Sequence, residues 1–465
     1  MVLLVNNSKL YNFNEIKGYW QGKLPSNGKE IIIIFNFSRL DEDELLCSIS
    51  IPEQGLTTAY CEEVTFKDGL LRGILKPFEA SFAGHIDKDG SIVGCWRQNG
   101  NIFPLHLVVQ NNNFPTPHRS QVPLKPYPYE EIQVVYENGR TNLTLTGTLT
   151  IPFNEGPFPV AILLPGSGLY DRDYTYQSHT PFLILADYLT TKGIATLRID
   201  SRGIGGSTGD PILPTLEDLA DDIKCGINHL NMCTKIDPKK IGIIGHSGGA
   251  IVADIVATSQ NIAFIIRLAG PGISSQKILH RQVREVCTTT LEEDEIEYLL
   301  KEHLEKIFKT IVDEKEDNQT ISKIKQIINE IDALHLPLNA KKQDVENIKL
   351  GLSSIFCDFT KISWTRSFLL HNCQDVIKQI HCPVLALNGE YDRQVSSKEN
   401  LNAITLALSK GQNKCYEVLE MPHLNHMFQT DYSGGKKNYG EIEETIAYSV
   451  LKIIADWIIT HVEKK

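Results

Sequence analysis

Three loops of this 465-residue chain, each leaving a short apolar run, carry the residue types that nucleophilic catalysis needs. The first is Gly245-His246-Ser247-Gly248-Gly249, directly after Ile241-Gly242-Ile243-Ile244. A serine flanked by glycines at the end of an apolar run suits a sharp strand-to-helix turn. The hydroxyl projects above the sheet, and side chains on the flanking residues would collide. A serine hydroxyl is a weak nucleophile until an imidazole removes its proton, and the imidazole needs a carboxylate to hold its tautomer and stabilise its charge. Ser247 therefore asks for an acid and a histidine further along the chain. Taken alone, the pentapeptide also reads as a glycine turn with an incidental serine.

The acid is sought after a later strand. Residues 382–389, CPVLALNG, read as strand then turn, and Glu390-Tyr391-Asp392-Arg393-Gln394-Val395 follows. Asp392 is the candidate, with Glu390 the alternative because it lies closer to the strand end; a loop aspartate is also an ordinary turn former. After a further run at 416–419, Met421-Pro422-His423-Leu424-Asn425-His426 offers two histidines, and spacing does not choose between His423 and His426. Acyl transfer also needs main-chain N–H groups for the oxyanion. One is expected from Gly248, after the nucleophile. The other is expected from Leu164-Pro165-Gly166-Ser167-Gly168, where the Ser167 N–H is the candidate, with Gly168 adjacent. Oxyanion loop, elbow, acid and histidine thus follow one another along the chain, four independent items whose coincidence chance explains poorly.

These loops need a rigid support. Apolar runs at 160–164, 195–199, 241–244, 264–268, 384–387 and 416–419 alternate with helical patterns, as a parallel sheet covered on both faces requires. Helices are expected at 181–192, ending at Gly193, at 216–230 after the capping-box pattern Thr215-Leu216-Glu217-Asp218, and at about 443–461. Two alternating runs at 130–136 and 143–151, joined by Glu137-Asn138-Gly139, form a hairpin ahead of them. Between 268 and 384 the chain is far longer than a simple crossover, and amphipathic patterns at 291–312 and 321–336 predict a helical cap over the site, an oligomerisation arm being the other reading.

Ahead of all this, residues 1 to about 110 are short β-type runs at 30–37, 44–51, 58–66, 70–75, 80–86, 91–96 and 102–109, separated by turns such as Lys67-Asp68-Gly69 and Lys88-Asp89-Gly90. An all-β meander that closes into a small barrel or roll would remove its edges. It is expected to serve as an accessory or dimerising domain, with ligand binding the alternative. Residues 110–128, rich in proline, read as an extended linker. The expected division is an all-β domain at 1–112, a linker at 113–128, an α/β core at 129–274 and 379–465, and a cap insertion at 275–378.

Composition narrows the function. The chain is 42% hydrophobic and 22% charged, with a formal net charge of −11, so a nucleic-acid surface is disfavoured and no cluster of Lys, Arg and aromatics supplies one. No run approaches the roughly eighteen apolar residues of a membrane span. The first residues lack the basic and apolar regions of a secretory signal, so a cytoplasmic location is the simplest expectation, a removed signal being the alternative. Ten cysteines form neither a C-x-x-C pair nor a Cys/His cluster, so no metal and no disulfide framework is expected. Residues 200–207, DSRGIGGS, contain G-x-G without the rest of a dinucleotide motif, so no cofactor is expected and Arg202 reads as structural.

The segments LLPGSGLYDRD (163–173), RIDSRGIGGSTG (198–209), GHSGGA (245–250), RLAGPG (267–272), NGEYDRQV (388–395) and LNHMFQ (424–429) resemble the bacterial α/β-hydrolase esterases of the EstD type. The likeness covers roughly 130–461, is scattered in the cap, and includes a β-rich N-terminal extension seen in some relatives. Tyr170 departs from the proline that relatives often carry, which bears on pocket shape. The resemblance implies an α/β-hydrolase fold with a cap, and a triad of Ser247, Asp392 and His426, the histidine of Leu-Asn-His being the base. It implies hydrolysis of a small-molecule carboxylic ester through an acyl-enzyme. The same machinery would serve a thioesterase, an acyltransferase or a serine aminopeptidase; a non-catalytic ligand-binding protein is the alternative of another class. A homodimer is an allowed assembly.

Overall fold

The structure, a computed structural model, describes residues 15–462 apart from 27–28, 40–44, 52–55, 62, 68, 76–79, 99–100, 110–118, 211, 288–292 and 332–341. The chain divides into two compact units, Met1–Thr116 and Pro117–Lys465.

The first unit contains β1 (Gly18–Ser26), β2 (Lys29–Arg39), β3 (Leu45–Ile51), β4 (Leu56–Tyr60), β5 (Glu63–Lys67), β6 (Leu70–Leu75), β7 (Ala80–Ile86), β8 (Ile92–Gln98) and β9 (Asn101–Val109). They form one antiparallel sheet in the order β4-β3-β2-β1-β9-β8-β7-β6-β5. Its two end strands, β4 and β5, are consecutive in the chain, so the sheet curls into a nearly closed barrel, as its turn spacing predicts. The interior is aromatic: Trp20, Phe35, Phe37, Phe82 and Trp96 are buried, and Phe35 meets Phe82 edge to face with centroids 4.9 Å apart. Sequence reading misses β1 and merges β4 with β5. The first carries glycine, proline and lysine where β-branched residues would announce a strand, and no turn former separates Tyr60 from Glu63.

The second unit is built on β10 (Tyr129–Asn138), β11 (Leu143–Pro152), β12 (Phe158–Leu164), β13 (Ala195–Ile199), β14 (Ile236–His246), β15 (Phe264–Leu268), β16 (Val384–Gly389) and β17 (Tyr416–Met421). The sheet order is β10-β11-β13-β12-β14-β15-β16-β17. Only β11 runs against its neighbours; β12 to β17 are mutually parallel. The central parallel strands are largely apolar because both faces are covered, β12 being buried at every residue, whereas the edge strand β17 is partly exposed and carries Glu417 and Glu420.

Helices α1 (Pro181–Thr191), α2 (Leu216–Asn231) and α3 (Gly248–Ala257) follow successive strands. The Thr215–Asp218 capping box opens α2 as expected, and Gly193 sits at φ +90° just past α1, a conformation glycine adopts freely. Between β15 and β16 lie α4 (Ser275–Cys287), α5 (Glu293–Asp313), α6 (Asp317–Asn329), α7 (Lys342–Phe356), α8 (Ile362–Leu370) and α9 (Cys373–Ile377). The patterns at 291–312 and 321–336 thus correspond to α5 and α6, the latter starting earlier at Asp317; positions 291–292 and 332–336 of these patterns lie outside the described residues. Leu304, Ile307, Phe308 and Ile311 of α5 join Ile324 and Ile328 of α6 in a core continuous with that of the sheet.

After α10 (Ser397–Lys410), the last helix, α11 (Tyr448–Val462), begins five residues later than the pattern suggests. The backbone before it is engaged elsewhere: Gln121 Oε1 accepts from the N–H groups of Thr445 and Ile446, and the Ala447 N–H donates to Phe428 O; the Glu444 side chain accepts the Thr430 N–H. Gln121 belongs to the proline-rich stretch read as a linker. Of that stretch, 110–118 lie outside the described residues, while Arg119 donates to the carbonyls of Gly440 and Ile442 and holds its own segment against this unit. Among the described residues no helix is long and apolar enough to cross a membrane.

Behind the elbow, Asp254 of α3 pairs with Arg267 of β15, both side chains being at most 1% exposed. A buried charge left without its partner is strongly destabilising. Asp254→Ala is expected to lower the stability of the second unit by about 3–5 kcal/mol in urea unfolding, while Asp254→Leu combined with Arg267→Met recovers most of the loss.

Candidate active site

Strand β14 ends at His246 and α3 begins at Gly248, so Ser247 alone makes the turn. Its backbone lies at φ +51°, ψ −119°, a region that costs an L-residue roughly 1–3 kcal/mol and persists only where its surroundings impose it. Here they do. The Ser247 N–H donates to Leu268 O at 2.8 Å, extending the β14–β15 ladder, and Ser247 O accepts the Ala250 N–H at 3.0 Å, opening the helix. A Cβ on Gly245 would lie 2.4 Å from Gly249 O, and one on Gly249 would lie 2.5 Å from the carbonyl oxygens of both Leu164 and Pro165. The flanking glycines are thus a steric requirement of the turn.

Asp392 follows β16 in a tight turn, its N–H bonded to Gly389 O at 3.1 Å. Its side chain is fully buried and every oxygen is engaged, as a buried carboxylate demands. Oδ1 accepts the N–H groups of Gln394 and Val395 at 2.8 Å each. Oδ2 accepts from Asn388 Nδ2 at 3.3 Å and from His426 Nδ1 at 2.7 Å. His426, buried as well, sits in a loop shaped by Asn425, whose Oδ1 accepts the N–H groups of Met427 and Gln429 at 3.0 Å each. With Nδ1 committed to Asp392, His426 has Nε2 free to act as a base.

The two alternatives partner each other instead. Glu390 accepts the His423 N–H at 2.9 Å, both side chains are at least a third exposed, and neither lines the cavity over Ser247.

That cavity, about 240 Å³, is lined by Ser247, Gly248, His426 and the Gly166-Ser167 loop. The two residues proposed to supply oxyanion amides are neighbours: a Cβ on Gly248 would lie 3.2 Å from Ser167 N. The walls are aromatic, from Tyr170, Tyr174 and Tyr176 after the loop and from Trp364 and Phe368 of α8. Residue pattern misses most of these. The tyrosines, four and two residues apart behind Pro-Gly-Ser-Gly, follow no period, and α8 is too short to show a stripe. A larger cavity, about 650 Å³, lies among residues such as Lys239, Gln260 and His381 and contains none of the candidate residues. Among the described residues no group of three His, Cys, Asp or Glu could hold a metal ion.

His246 is also buried beside the site. Its Nε2 lies 2.9 Å from the His426 carbonyl oxygen and its Nδ1 3.0 Å from Tyr174 Oη. Burial, reinforced by the neighbouring His426 ring, lowers its pKa from the ordinary 6.5 to about 3.

The architecture is that of the α/β-hydrolase fold: a mostly parallel sheet with one reversed second strand, a serine at the strand-to-helix elbow, and an Asp–His pair on the loops after two later strands. A family model described as "Serine aminopeptidase, S33" matches residues 178–336, which include Ser247 but stop before Asp392 and His426. Esterase EstD of Thermotoga maritima is 27% identical over 140 residues, 30% of this chain and 34% of that protein, so the match spans about a third of the relative's length. The solved structure of Est1E from Butyrivibrio proteoclasticus with ferulic acid bound is 16% identical, covering 71% of this chain and 99% of that one with a TM-score of 0.41. An esterase of Pyrococcus furiosus is 18% identical, covering 63% and 83% respectively, with a TM-score of 0.41.

The depressed His246 pKa has a consequence for stability. Between 6.5 and about 3 the unfolded chain binds a proton that the folded chain refuses, so the folded state loses ground as pH falls through that window. Against a His246→Gln variant, which does not titrate there, the wild type is expected to lose up to about 1.4 kcal/mol per pH unit, read from urea unfolding at a series of pH values.

Proposed function

We propose that this protein is a serine hydrolase that cleaves carboxylic esters through an acyl-enzyme on Ser247. The observation that carries this reading is the 2.7 Å bond from His426 Nδ1 to the buried Asp392 carboxylate, with His426 and the strained elbow serine lining one cavity. Asp392 holds the His426 tautomer that leaves Nε2 unprotonated. His426 Nε2 takes the proton of Ser247 as Oγ attacks the ester carbonyl. The N–H groups of Ser167 and Gly248 receive the oxyanion, and His426 then returns the proton to the departing alcohol. Water, deprotonated by the same nitrogen, resolves the acyl-enzyme and releases the acid.

The lining of the cavity favours an ester over the N-terminal amide of a peptide. Among its described residues there is no Asp or Glu to pair with an ammonium group, only aromatic, aliphatic and neutral polar side chains besides His426. Its 240 Å³ and aromatic walls fit a compact apolar acyl group.

Nitrophenyl esters of increasing chain length, an aminoacyl nitroanilide and a fluorophosphonate probe test this directly. Ser247→Ala is expected to abolish probe labelling and, like Asp392→Asn, to lower kcat by about 10⁴ or more, while Glu390→Gln and His423→Asn leave turnover unchanged. Equal turnover by Ser247→Ala and wild type would remove Ser247 from the reaction; no turnover and no labelling in either would favour a ligand-binding protein, and nitroanilide cleavage would favour the peptidase. Within the ester series, kcat/KM should fall from short to long acyl chains, and Phe368→Ala should shift the preference toward longer ones.

A further inference from the structure

His246 lies beside the proposed reacting groups without a role in the steps above. Its two ring nitrogens have partners that differ in kind. Nε2 faces the main-chain carbonyl oxygen of His426 at 2.9 Å, and a carbonyl oxygen only accepts, so Nε2 carries the proton. Nδ1 is therefore the acceptor nitrogen, and Tyr174 Oη, 3.0 Å away, must donate to it. The direction of both hydrogen bonds follows from elementary chemistry: Tyr174 O–H to His246 Nδ1, then His246 Nε2–H to the His426 carbonyl.

The same hydroxyl also abuts the oxyanion loop. A Cβ on Gly166 would stand 2.8 Å from Tyr174 Oη, 3.2 Å from Ser247 Cβ and 3.5 Å from His246 Nδ1. Tyr174 Oη thus lies where the oxyanion loop meets the elbow, and His246 carries the contact on to the histidine loop. Tyr174 reaches this point from a left-handed backbone, φ +57°, a conformation that a bulky residue keeps only where its surroundings impose it. Tyr174 is 5% exposed, its ring set against Tyr170, Phe182 and His246 with centroids 4.6, 5.0 and 5.6 Å apart.

We propose that Tyr174 and His246 are positioning residues, a neutral hydrogen-bonded relay that sets the loop bearing His426 in register with the Ser247 elbow and the Gly166-Ser167 amides. The inference rests on the hydrolase reading above. The relay moves no proton during turnover. It holds the base at its reaction distance by tethering the base's own carbonyl, and misplacement of a reacting group by about 1 Å costs on the order of 10²-fold in rate. A buried neutral histidine suits this task, because a charged one would repel the imidazolium formed on His426 during each turnover.

The variants are chosen so that packing and tethering separate. Tyr174→Phe keeps the ring and removes the donor. His246→Leu removes both nitrogens, while His246→Gln restores an N–H within reach of the His426 carbonyl. On a short-chain nitrophenyl ester, Tyr174→Phe and His246→Leu should each lower kcat about 10- to 100-fold with little change in KM, and His246→Gln should recover most of that loss. The double variant Tyr174→Phe/His246→Leu should be no slower than the worse single variant, because both cut one relay. Additive losses, losses confined to KM, or no recovery in His246→Gln would overturn the proposal.

A second readout does not depend on ester turnover. Nitrogen NMR of the wild type should show His246 as the Nε2–H tautomer at neutral pH, and Tyr174→Phe should shift the ring signals of His426. Unmoved His426 signals, or an Nδ1–H His246, would overturn the relay even in a protein that turns over esters. If the wild type neither hydrolyses esters nor labels with fluorophosphonate while the NMR signature holds, the hydrolase reading has failed and the relay stands as a structural link alone. Should Tyr174→Phe not fold, His246→Leu and His246→Gln carry both readouts.

Discussion

Everything at the candidate site depends on one residue being held in a backbone conformation it would not choose. Ser247, at φ +51°, can present its hydroxyl above the sheet only if the chain reverses from strand to helix within a single residue. That reversal brings the Gly245–Gly249 backbone against itself and against the carbonyl oxygens of Leu164 and Pro165, distances at which no side chain fits. The strain is sustained by the ladder bond to Leu268 on one side and the first turn of α3 on the other, and beneath them the buried Arg267–Asp254 pair joins β15 to the same helix. Parallel strands are what make this economical, since each delivers its following loop to the same edge of the sheet.

The remaining groups arrive on those loops, and their precision comes from burial rather than from sequence proximity. Asp392 keeps a carboxylate out of water by accepting two backbone N–H groups, an asparagine amide and the imidazole of His426. Inside the protein such bonds are stronger than in water and leave the carboxylate little freedom to rotate. Asn425 holds the histidine loop in the same way, with its side chain standing in for a backbone acceptor. The pocket above is closed by a different kind of element. Trp364 and Phe368 come from a cap whose helices pack into the sheet's own core, so the part of the chain with the weakest motifs decides the shape that a substrate meets.

Much of this was legible in the residues. Short apolar runs located all six parallel strands, the central ones because burial on both faces leaves little room for polar residues. Thr215 with Asp218 marked the start of α2, and Gly193 the end of α1, because caps are local chemistry. The elbow, the oxyanion loop and the order of acid and histidine were readable for a related reason: steric and electronic demands at a turn act on adjacent residues. The choice of His426 over His423 was of another kind and came from a resemblance, since both histidines satisfy the local pattern.

What only the tertiary structure decided involves residues far apart in the chain. It set the pairing of Asp392 with His426 across 34 positions and sent Glu390 and His423 to the exposed surface together. It also brought Tyr174, His246 and the His426 carbonyl into one line of hydrogen bonds, delayed α11 because Gln121 claims the N–H groups before it, and curled an unrecognised first strand into the barrel. Sequence by itself determines what each short segment can do, because propensity, capping and turn chemistry act over a few residues. Which buried groups then satisfy one another is settled only when packing forces every polar atom to find a partner, and that is a property of the whole fold.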